Sequence, residues 1–116
     1  MLSNTGINKI ILLGQVSNEA ELKRSANNQR HWCFTLVTVE AIKKGSDTVE
    51  HHEYHNIKIS EKLVEFEAFM LETGQTLYIE GKIQTTSFVD QIGVKRYNLE
   101  ILASKVEAVK SVPIVA

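Results

Sequence analysis

An aromatic side chain and two cations lie close together near one end of a predicted β-hairpin. They are Phe88, Lys95 and Arg96. Residues 74–97 predict two strands rich in Thr, Tyr, Ile, Val and Phe, joined by a tight turn at residues 90–93 that ends in glycine. Arms of about eight residues, at ~3.3 Å per residue, would hold the turn roughly 25 Å from its base, so both faces cannot be buried. An aromatic face beside positive charge on such a ribbon is suited to bases and phosphates.

Cations on the predicted loops and on this ribbon are candidate phosphate contacts. As a set they predict a discontinuous track of charge rather than one patch, although each alone could equally be a solvated surface charge. Arg96 has a second role open to it, as a structural partner of Asp90 across the turn. The candidates are Lys43, Lys44, Lys58, Lys62, Lys82, Lys95 and Arg96.

A histidine cluster and a set of glutamates are weaker candidates for chemistry. His51, His52 and His55 are close in sequence, but in a strand His51 and His55 share one face while His52 points away, so they do not converge as zinc ligands. No nucleophile, base and orienting group accompany the glutamates, and no glycine-rich phosphate loop is present. We therefore expect no cofactor, no metal site and no enzyme, and we expect Glu80 to be structural. The glutamates are Glu40, Glu53 and Glu80.

The composition predicts one ordinary globular domain. The chain of 116 residues is 43% hydrophobic and 23% charged, with no apolar run long enough to span a bilayer and no signal peptide after Met1. A single cysteine, Cys33, excludes an internal disulfide and favours a reducing compartment, so the expected location is the cytoplasm. The net charge of -1 weighs against binding nucleic acid by bulk charge alone. Acidic residues concentrate in residues 61–72, which leaves a mild positive excess elsewhere.

Hydrophobic alternation predicts five strands. The inner part of the first, residues 10–13, is apolar on both faces, as expected where a core lies on one side and a partner subunit on the other. Polar stretches at residues 17–29 and 43–47 predict loops. The strands cover residues 7–16, 31–42, 48–60 and the two arms of the hairpin, of which the second continues to about residue 106.

One helix is predicted at residues 61–72. Ser60 is its expected N-cap, and Gly74 lies where a C-cap would be. Its expected core-facing stripe consists of Leu63, Phe66, Phe69 and Met70. The resulting order β-β-β-α-β-β predicts an all-β fold with one helix: an OB-fold, the five-stranded, partly open Greek-key barrel, with a long hairpin between its fourth and fifth strands. Such barrels bind nucleic acids or sugars, and the fold alone does not choose between them.

At the level of motifs the chain resembles the bacterial single-stranded DNA-binding protein family. The run Tyr-Ile-Glu-Gly and the run Asp-Gln-x-Gly-x-x-Arg-Tyr on one hairpin form the most specific pair. The resemblance implies an OB-fold in the bacterial nucleoid that assembles as a homotetramer, or as a dimer, and wraps single-stranded DNA without sequence preference. The matching stretches are residues 8–14, 34–38, 53–55, 62–63, 77–81, 90–93 and 96–97.

The resemblance also implies which side chains contact DNA. Of the family's base-stacking positions, Tyr54 and Phe88 are aromatic here, whereas Ile42 and Ser60 are not. Trp32 could replace a lost platform, or it could be a partly buried core or interface residue. Positions often basic in relatives are neutral here, namely Asn56, Gln84, Thr86 and Ser87. Implied subunit contacts are Asn8, Ile10, Leu12, His55 and Tyr78, and a histidine at such a contact would make assembly sensitive to acid.

The predicted function is sequence-tolerant binding of single-stranded DNA, which protects it during replication, recombination and repair. Two other classes stay open: an OB-fold accessory or scaffold protein of the primosome type, and, more weakly, an enzyme fragment that docks a substrate. Residues 1–110 are assigned to the domain and residues 111–116 to a disordered end. Relatives commonly end in an acidic tip that recruits replication and repair enzymes. Residues 111–116 hold no acidic cluster, so these enzymes are not assigned as partners.

Overall fold

Six strands and one short helix make up the chain in the computed structural model, which describes residues 5–25, 27–67 and 70–110. Residues 65–67 are described by their backbone alone. In chain order the elements are β1 (Ile10–Val16), β2 (Glu21–Arg24), β3 (Arg30–Lys44), β4 (Asp47–Ser60), α1 (Glu61–Glu67), β5 (Thr76–Val89) and β6 (Lys95–Val109).

The strands form one sheet that closes on itself. Neighbouring strands follow the order β1-β5-β6-β4-β3-β2, and β1 also pairs with β3 at Val16 and Leu36. The β4–β6 pair is parallel, at Ile57 and Ile101, while the other pairs are antiparallel. Because β2 only extends one edge of β3, the closed barrel has five strands. The predicted OB-fold is confirmed.

Alternate residues of the barrel strands supply the core. Side chains at every second position of a strand point to one face, and in these strands that face is apolar. Fully buried side chains come from every barrel strand: Val16, Leu36, Ile57, Ile59, Leu77, Ile79 and Val106. The opposite face of each strand is left for solvent or for ligands.

Barrel closure brings two strands unusually close at Gly81. Gly81 is buried on β5, next to an irregularity in the β5–β6 register, where Glu80 pairs with Lys105 but Gly81 pairs with Ala103. A Cβ atom at this position would overlap the backbone carbonyl oxygen of Leu102. Only glycine therefore fits this approach without a backbone shift.

Two segments predicted as loops are partly strands. Residues 17–29 contain β2, which pairs with β3 from Glu21–Cys33 to Arg24–Arg30. All of β2 is exposed, so it has no apolar alternation by which the sequence could reveal it. In residues 43–47, β3 continues through Lys44, which pairs with Asp47, so only a short turn remains. In contrast, β1 begins at Ile10, three residues later than predicted.

The helix is shorter than predicted, although its start is as expected. Ser60 is the N-cap, since its Oγ accepts a hydrogen bond from the backbone N–H of Leu63 at 3.2 Å. The helix ends at Glu67, and residues 70–72 are not helical. Val64 and Leu63 supply its described core contacts, whereas the predicted core residue Met70 is exposed. The side chains of Phe66 and Phe69 lie outside the described part of the chain, as do residues 111–116.

The segment before β5 is a turn that is tied to β1. The N–H of Gln75 donates to the carbonyl of Glu72 at 3.2 Å, which forms a turn. The N–H of Gly74 donates to the carbonyl of Val16 at 2.7 Å. Gly74 therefore ties the start of β5 to the end of β1 and is not the C-cap of α1.

Candidate nucleic-acid interface

The turn that joins β5 to β6 is held by both backbone and side-chain bonds. The carbonyl of Asp90 accepts from the N–H of Gly93 at 3.1 Å, and Gly93 has a φ of 84°, which a residue with a Cβ rarely adopts. The predicted tight turn ending in glycine is therefore confirmed. The Asp90 carboxylate accepts from the N–H groups of Ile92 and Val94, and from Nε of Arg96 at 2.9 Å.

The Asp90–Arg96 contact answers one question left open by the sequence. Arg96 does pair with Asp90 across the turn. The Arg96 guanidinium, and then the N–H of Val94, hold the pKa of the Asp90 carboxyl below its usual value. The remaining guanidinium N–H groups stay free for a ligand because the Arg96 side chain is more than half exposed.

This lowered pKa predicts how the hairpin tip responds to pH. A carboxyl with a lowered folded-state pKa stabilises the fold above its unfolded pKa, and the contribution is lost as pH falls through the folded pKa. We expect the amide NMR signals of Ile92 and Val94 to be constant at neutral pH. They should shift only in acid, with a midpoint below the ordinary aspartate value.

The matched control for this titration is Asp90→Asn, which keeps an acceptor oxygen but cannot ionise. The acid transition of the Ile92 and Val94 amides should disappear in this variant. A wild-type midpoint at or above the ordinary aspartate pKa would contradict the assigned role of Asp90.

Cross-strand register divides the β5–β6 hairpin into two faces. Directly opposed residues share a face, and Phe88 is opposite Arg96. Phe88 is 55% exposed, so its ring is available for stacking. Thr86 opposite Asn98 and Gln84 opposite Glu100 continue this face toward the barrel.

A polar cleft of about 470 Å³ lies at the barrel end of this face. It lies between β6 and the outward sides of β2, β3 and β4. Tyr54 precedes Asn56 of the cleft by two positions on β4 and therefore shares its face, and Tyr54 is 61% exposed. We call the surface from Phe88 through the cleft to Tyr54 the binding face. The cleft is lined by Asn18, Glu19, Glu21, Lys23, Arg24, Ser25, Cys33, Phe34, Thr35, Asn56, Ile57, Lys58, Asn98 and Glu100.

Trp32 lies on the other side of the sheet. It is opposite Ile59, a fully buried residue, and is itself half-buried against the core. The predicted sharing of a strand face with Phe34 holds, and Phe34 is buried. This geometry favours the core alternative for Trp32, so we leave it out of the binding face.

The candidate cations are distributed over both sides of the molecule. Lys58 lines the cleft, and Lys82 lies on the Phe88 side of β5. Lys43 shares the outward side of β3 but is at its far end, while Lys44 is on the opposite side of that strand. Lys62 is exposed on α1. Lys95 lies on the opposite face of the hairpin from Phe88.

Three residues of interest were not found from the sequence. Lys23 and Arg24 line the cleft from β2, which the sequence showed only as a polar loop. Tyr97 is 68% exposed on the second face of the hairpin, and the ammonium of Lys95 is 5.6 Å from the centre of its ring. Tyr97 is opposite Ser87, a pairing that the hairpin register predicts once the turn is placed.

The formal charges of the side chains that line the cleft balance. Lys23, Arg24 and Lys58 are opposed by three glutamates, Glu19, Glu21 and Glu100. Burial, and then the charge of Lys58, lower the pKa of His31 beside the cleft, so this histidine is neutral near pH 7. Burial raises the pKa of the Cys33 thiol, which disfavours the reactive thiolate.

The residues assigned to a subunit interface occupy different environments. Leu12 belongs to the core and Ile10 packs against it. Asn8 bonds the backbone of Ile83 through both its amide nitrogen and its amide oxygen, and so ties the chain before β1 to β5. Nε2 of the half-buried His55 is 2.9 Å from Oγ1 of Thr38, and the half-buried Tyr78 donates to Glu80 at 2.7 Å.

The outward side of β1 carries two exposed apolar residues outside the set of predicted subunit contacts. Ile11 is 56% and Leu13 is 59% exposed. They alternate with Ile10 and Leu12, so the predicted apolar character on both faces of β1 is real. The apolar surface that could meet a partner consists of Ile11 and Leu13 rather than Ile10 and Leu12.

The glutamates and histidines on the strands form local pairs. Glu80 accepts from Tyr78 and is 3.4 Å from Nζ of Lys9 and 3.9 Å from Nζ of Lys105, which agrees with a structural role. Two histidines also pair with neighbouring glutamates. Nε2 of His51 is 2.8 Å from Oε2 of Glu53, and Nε2 of His52 is 3.2 Å from Oε2 of Glu50. Within the described ranges, no group of three or more His, Cys, Asp or Glu is placed to hold a metal ion.

None of the described helices is both long and apolar enough to cross a membrane.

Sequence comparison assigns this chain to known relatives. The model of the single-strand binding protein family matches residues 7–109. The single-stranded DNA-binding protein 1 of Chlorobaculum tepidum is 36% identical over 104 residues, which cover 88% of this chain and 64% of that protein. The single-stranded DNA-binding protein of Bacteroides thetaiotaomicron is 35% identical, covering 87% of this chain and 65% of the relative. The chain thus spans somewhat less than two thirds of these relatives.

Structure comparison agrees on the fold. A Plasmodium falciparum SSB in complex with ssDNA superposes with a TM-score of 0.80 at 20% identity, covering 94% of this chain and all of that chain (100%). A deletion mutant of the single-stranded DNA binding protein from Thermus aquaticus gives a TM-score of 0.74 at 19% identity, covering 90% of this chain and 51% of that one.

Proposed function

The chain belongs to the single-strand binding protein family, and we propose that it binds single-stranded DNA without reading a defined sequence. The observation that carries this proposal is the binding face. Two exposed aromatic rings, Phe88 and Tyr54, lie on one side of the sheet with a polar cleft between them. Every base has a π-face, so such rings accept any sequence.

Bases stack on these rings while cations contact the phosphates that link them. Stacking contributes ~1–3 kcal/mol per base. Lys82 and Arg96 lie on the same face as Phe88, and Lys23 and Arg24 border the cleft from β2. A strand held this way is covered and protected during replication, recombination and repair. The location that fits this role is the bacterial cytoplasm, at the nucleoid.

Assembly of several copies would strengthen a modest site. We place the contact at Ile11 and Leu13, because exposed apolar residues on a barrel strand favour burial against another protein surface. A tetramer is favoured and a dimer is the alternative. One DNA strand could then engage several binding faces, and each further contact would be intramolecular.

Salt dependence is the first prediction of this function. The logarithm of affinity for oligo-dT should fall linearly with the logarithm of salt, with a slope of about −0.7 per phosphate contacted. Replacing Lys82 by Gln should reduce this slope by about one contact, because Lys82 lies on the Phe88 side of β5. Fluorescence anisotropy of a labelled oligonucleotide at several salt concentrations measures both quantities.

Lys44→Gln is the matched control, since Lys44 is on the side of β3 that faces away from Tyr54. It should leave the slope unchanged. An affinity that does not respond to salt would refute the phosphate contacts. No binding of the oligonucleotide even in dilute buffer would favour the scaffold protein of the primosome type, a class that the balance of formal charge in the cleft also fits.

A further inference from the structure

One carboxylate of the cleft, that of Glu100, has no direct partner among the residues that the structure describes. Glu100 is half-buried on β6, and no ion pair or side-chain hydrogen bond joins it to any residue that the structure describes. Lys58 of the same cleft also has no ion pair there. The parallel pair Ile57–Ile101 places Glu100 and Asn56 side by side on neighbouring strands. An anion and a cation therefore line one cleft without neutralising each other directly.

Two carboxamides next to Glu100 are also free to meet a ligand. Asn56 and Asn98 both line the cleft, and neither makes a side-chain hydrogen bond to the described ranges of the chain. Asn18 differs, because its Oδ1 accepts from the N–H of Thr35 at 2.8 Å and so has a structural use. Free amide, carboxylate and ammonium groups together can bond the edge of a base from several directions.

A carboxylate in this position disfavours a phosphate group placed directly against it. The phosphate backbone carries a negative charge at every nucleotide, so it is repelled by Glu100. Lys82 and Arg96 lie outside the cleft lining and flank Glu100 along the hairpin, with Arg96 toward the tip and Lys82 toward the barrel. The favourable orientation therefore has phosphates at the cations that flank Glu100, on the hairpin and on β2, and a base edge at Glu100 itself.

Base edges differ in what they offer to a carboxylate. Cytosine presents its N4 amino group as a donor beside two acceptors, whereas thymine presents carbonyl oxygens on both sides of its N3–H. A carboxylate accepts from the amino group of cytosine, and Lys58 can donate to the acceptors of the same base. Thymine can offer the carboxylate only its N3–H, which lies between two carbonyl oxygens that the carboxylate repels.

We propose that Glu100, with Lys58 and the free amides of Asn56 and Asn98, gives the binding face a preference for cytosine over thymine. This inference rests on the proposed binding of single-stranded DNA. Its expected size is at least about fivefold in the ratio of the two affinities, the lower end for one well-placed hydrogen-bonded contact to a base.

The test compares labelled oligo-dC and oligo-dT of equal length, at mildly alkaline pH where cytosine is not protonated. The wild-type protein should bind oligo-dC more tightly. In Glu100→Gln the side chain both donates and accepts, so thymine becomes acceptable and the ratio should fall toward one. Glu100→Ala should lower the ratio as well. Circular dichroism and the melting temperature check that both variants are folded.

Glu40→Gln is the matched control. It removes the same charge from a strand residue that is exposed on the other side of the sheet, so the ratio should stay at its wild-type value. If Glu100→Gln tightens binding of both oligonucleotides equally, Glu100 only repels phosphate and the preference is refuted. Equal wild-type affinities also refute it but leave the proposed function intact. If the wild-type protein binds neither oligonucleotide, the proposed function itself fails.

Discussion

Replacing Phe88 by Ala should weaken binding of single-stranded DNA by about 5- to 150-fold, the range that corresponds to ~1–3 kcal/mol for one stacked base. The melting temperature should hardly change. The ring is 55% exposed and lies on a hairpin beyond the closed barrel, so its removal opens no core cavity. An oligonucleotide short enough to occupy one subunit measures the effect without contributions from other copies.

Val89→Ala is the control for this experiment. Val89 follows Phe88 directly and is 68% exposed, but its pairing with Lys95 places it on the other face of the hairpin. It should leave affinity within about twofold, as is usual for surface changes away from a site. If Phe88→Ala lowers the melting temperature as strongly as the affinity, Phe88 is a packing residue and the binding face must be redrawn.

The hairpin could be predicted from sequence because its determinants are local. A turn that ends in glycine and two strands of matching apolar pattern specify both the register and the tip. The sequence therefore predicts that Phe88 and Arg96 lie close together. It also predicts the pairing of Arg96 with Asp90 as an alternative role. The start of the helix could be predicted for the same reason. Ser60 caps the helix by accepting a hydrogen bond from the N–H of Leu63, only three residues away.

The cleft could not be predicted because it depends on pairings between distant parts of the chain. Strand β2 has only four residues, all exposed, and is held in place by its pairing with β3. Glu100 lines the cleft because β6 pairs in parallel with β4. This pairing joins residues that are far apart in sequence. No local pattern marks either of them.

The orientation of β1 was undetermined for a different physical reason. When both faces of a strand are apolar, alternation does not say which face meets the core. The choice is made by the register of β1 with β5, which pairs Leu12 with the buried Ile79 and Leu13 with the half-buried Tyr78. Trp32 presented a similar ambiguity, because a large aromatic residue fits a core as well as a stacking site.

The uncertain faces of β1 and of Trp32 have one cause, which also decides which residues form the binding face. The barrel core uses one face of each strand and the proposed binding face uses the other, so a shift of one residue exchanges the two roles. Tyr54 and Asn56 are exposed only because Ile57 and Ile59 take the core positions of β4. The apolar core thus decides which polar residues form the binding face.

Gly81→Ala should lower the free energy of unfolding by about 3 kcal/mol, at the upper end of the range for overpacking a core. The added Cβ would overlap the carbonyl oxygen of Leu102, a backbone atom that cannot move aside like the end of a flexible side chain. Relief requires β5 and β6 to separate where they close the barrel, next to the register irregularity. Urea denaturation followed by circular dichroism measures the loss.

Gly6→Ala is the matched control, because a Cβ at Gly6 would meet no atom within 4 Å. Its free energy of unfolding should stay within about 0.5 kcal/mol of the wild-type value. A loss for Gly81→Ala no larger than that of Gly6→Ala would show that the two strands tolerate a wider spacing, and would remove the close approach at Gly81 as a requirement of the fold. Folded Gly81→Ala should still bind DNA, because Gly81 faces the core and touches none of the stacking rings.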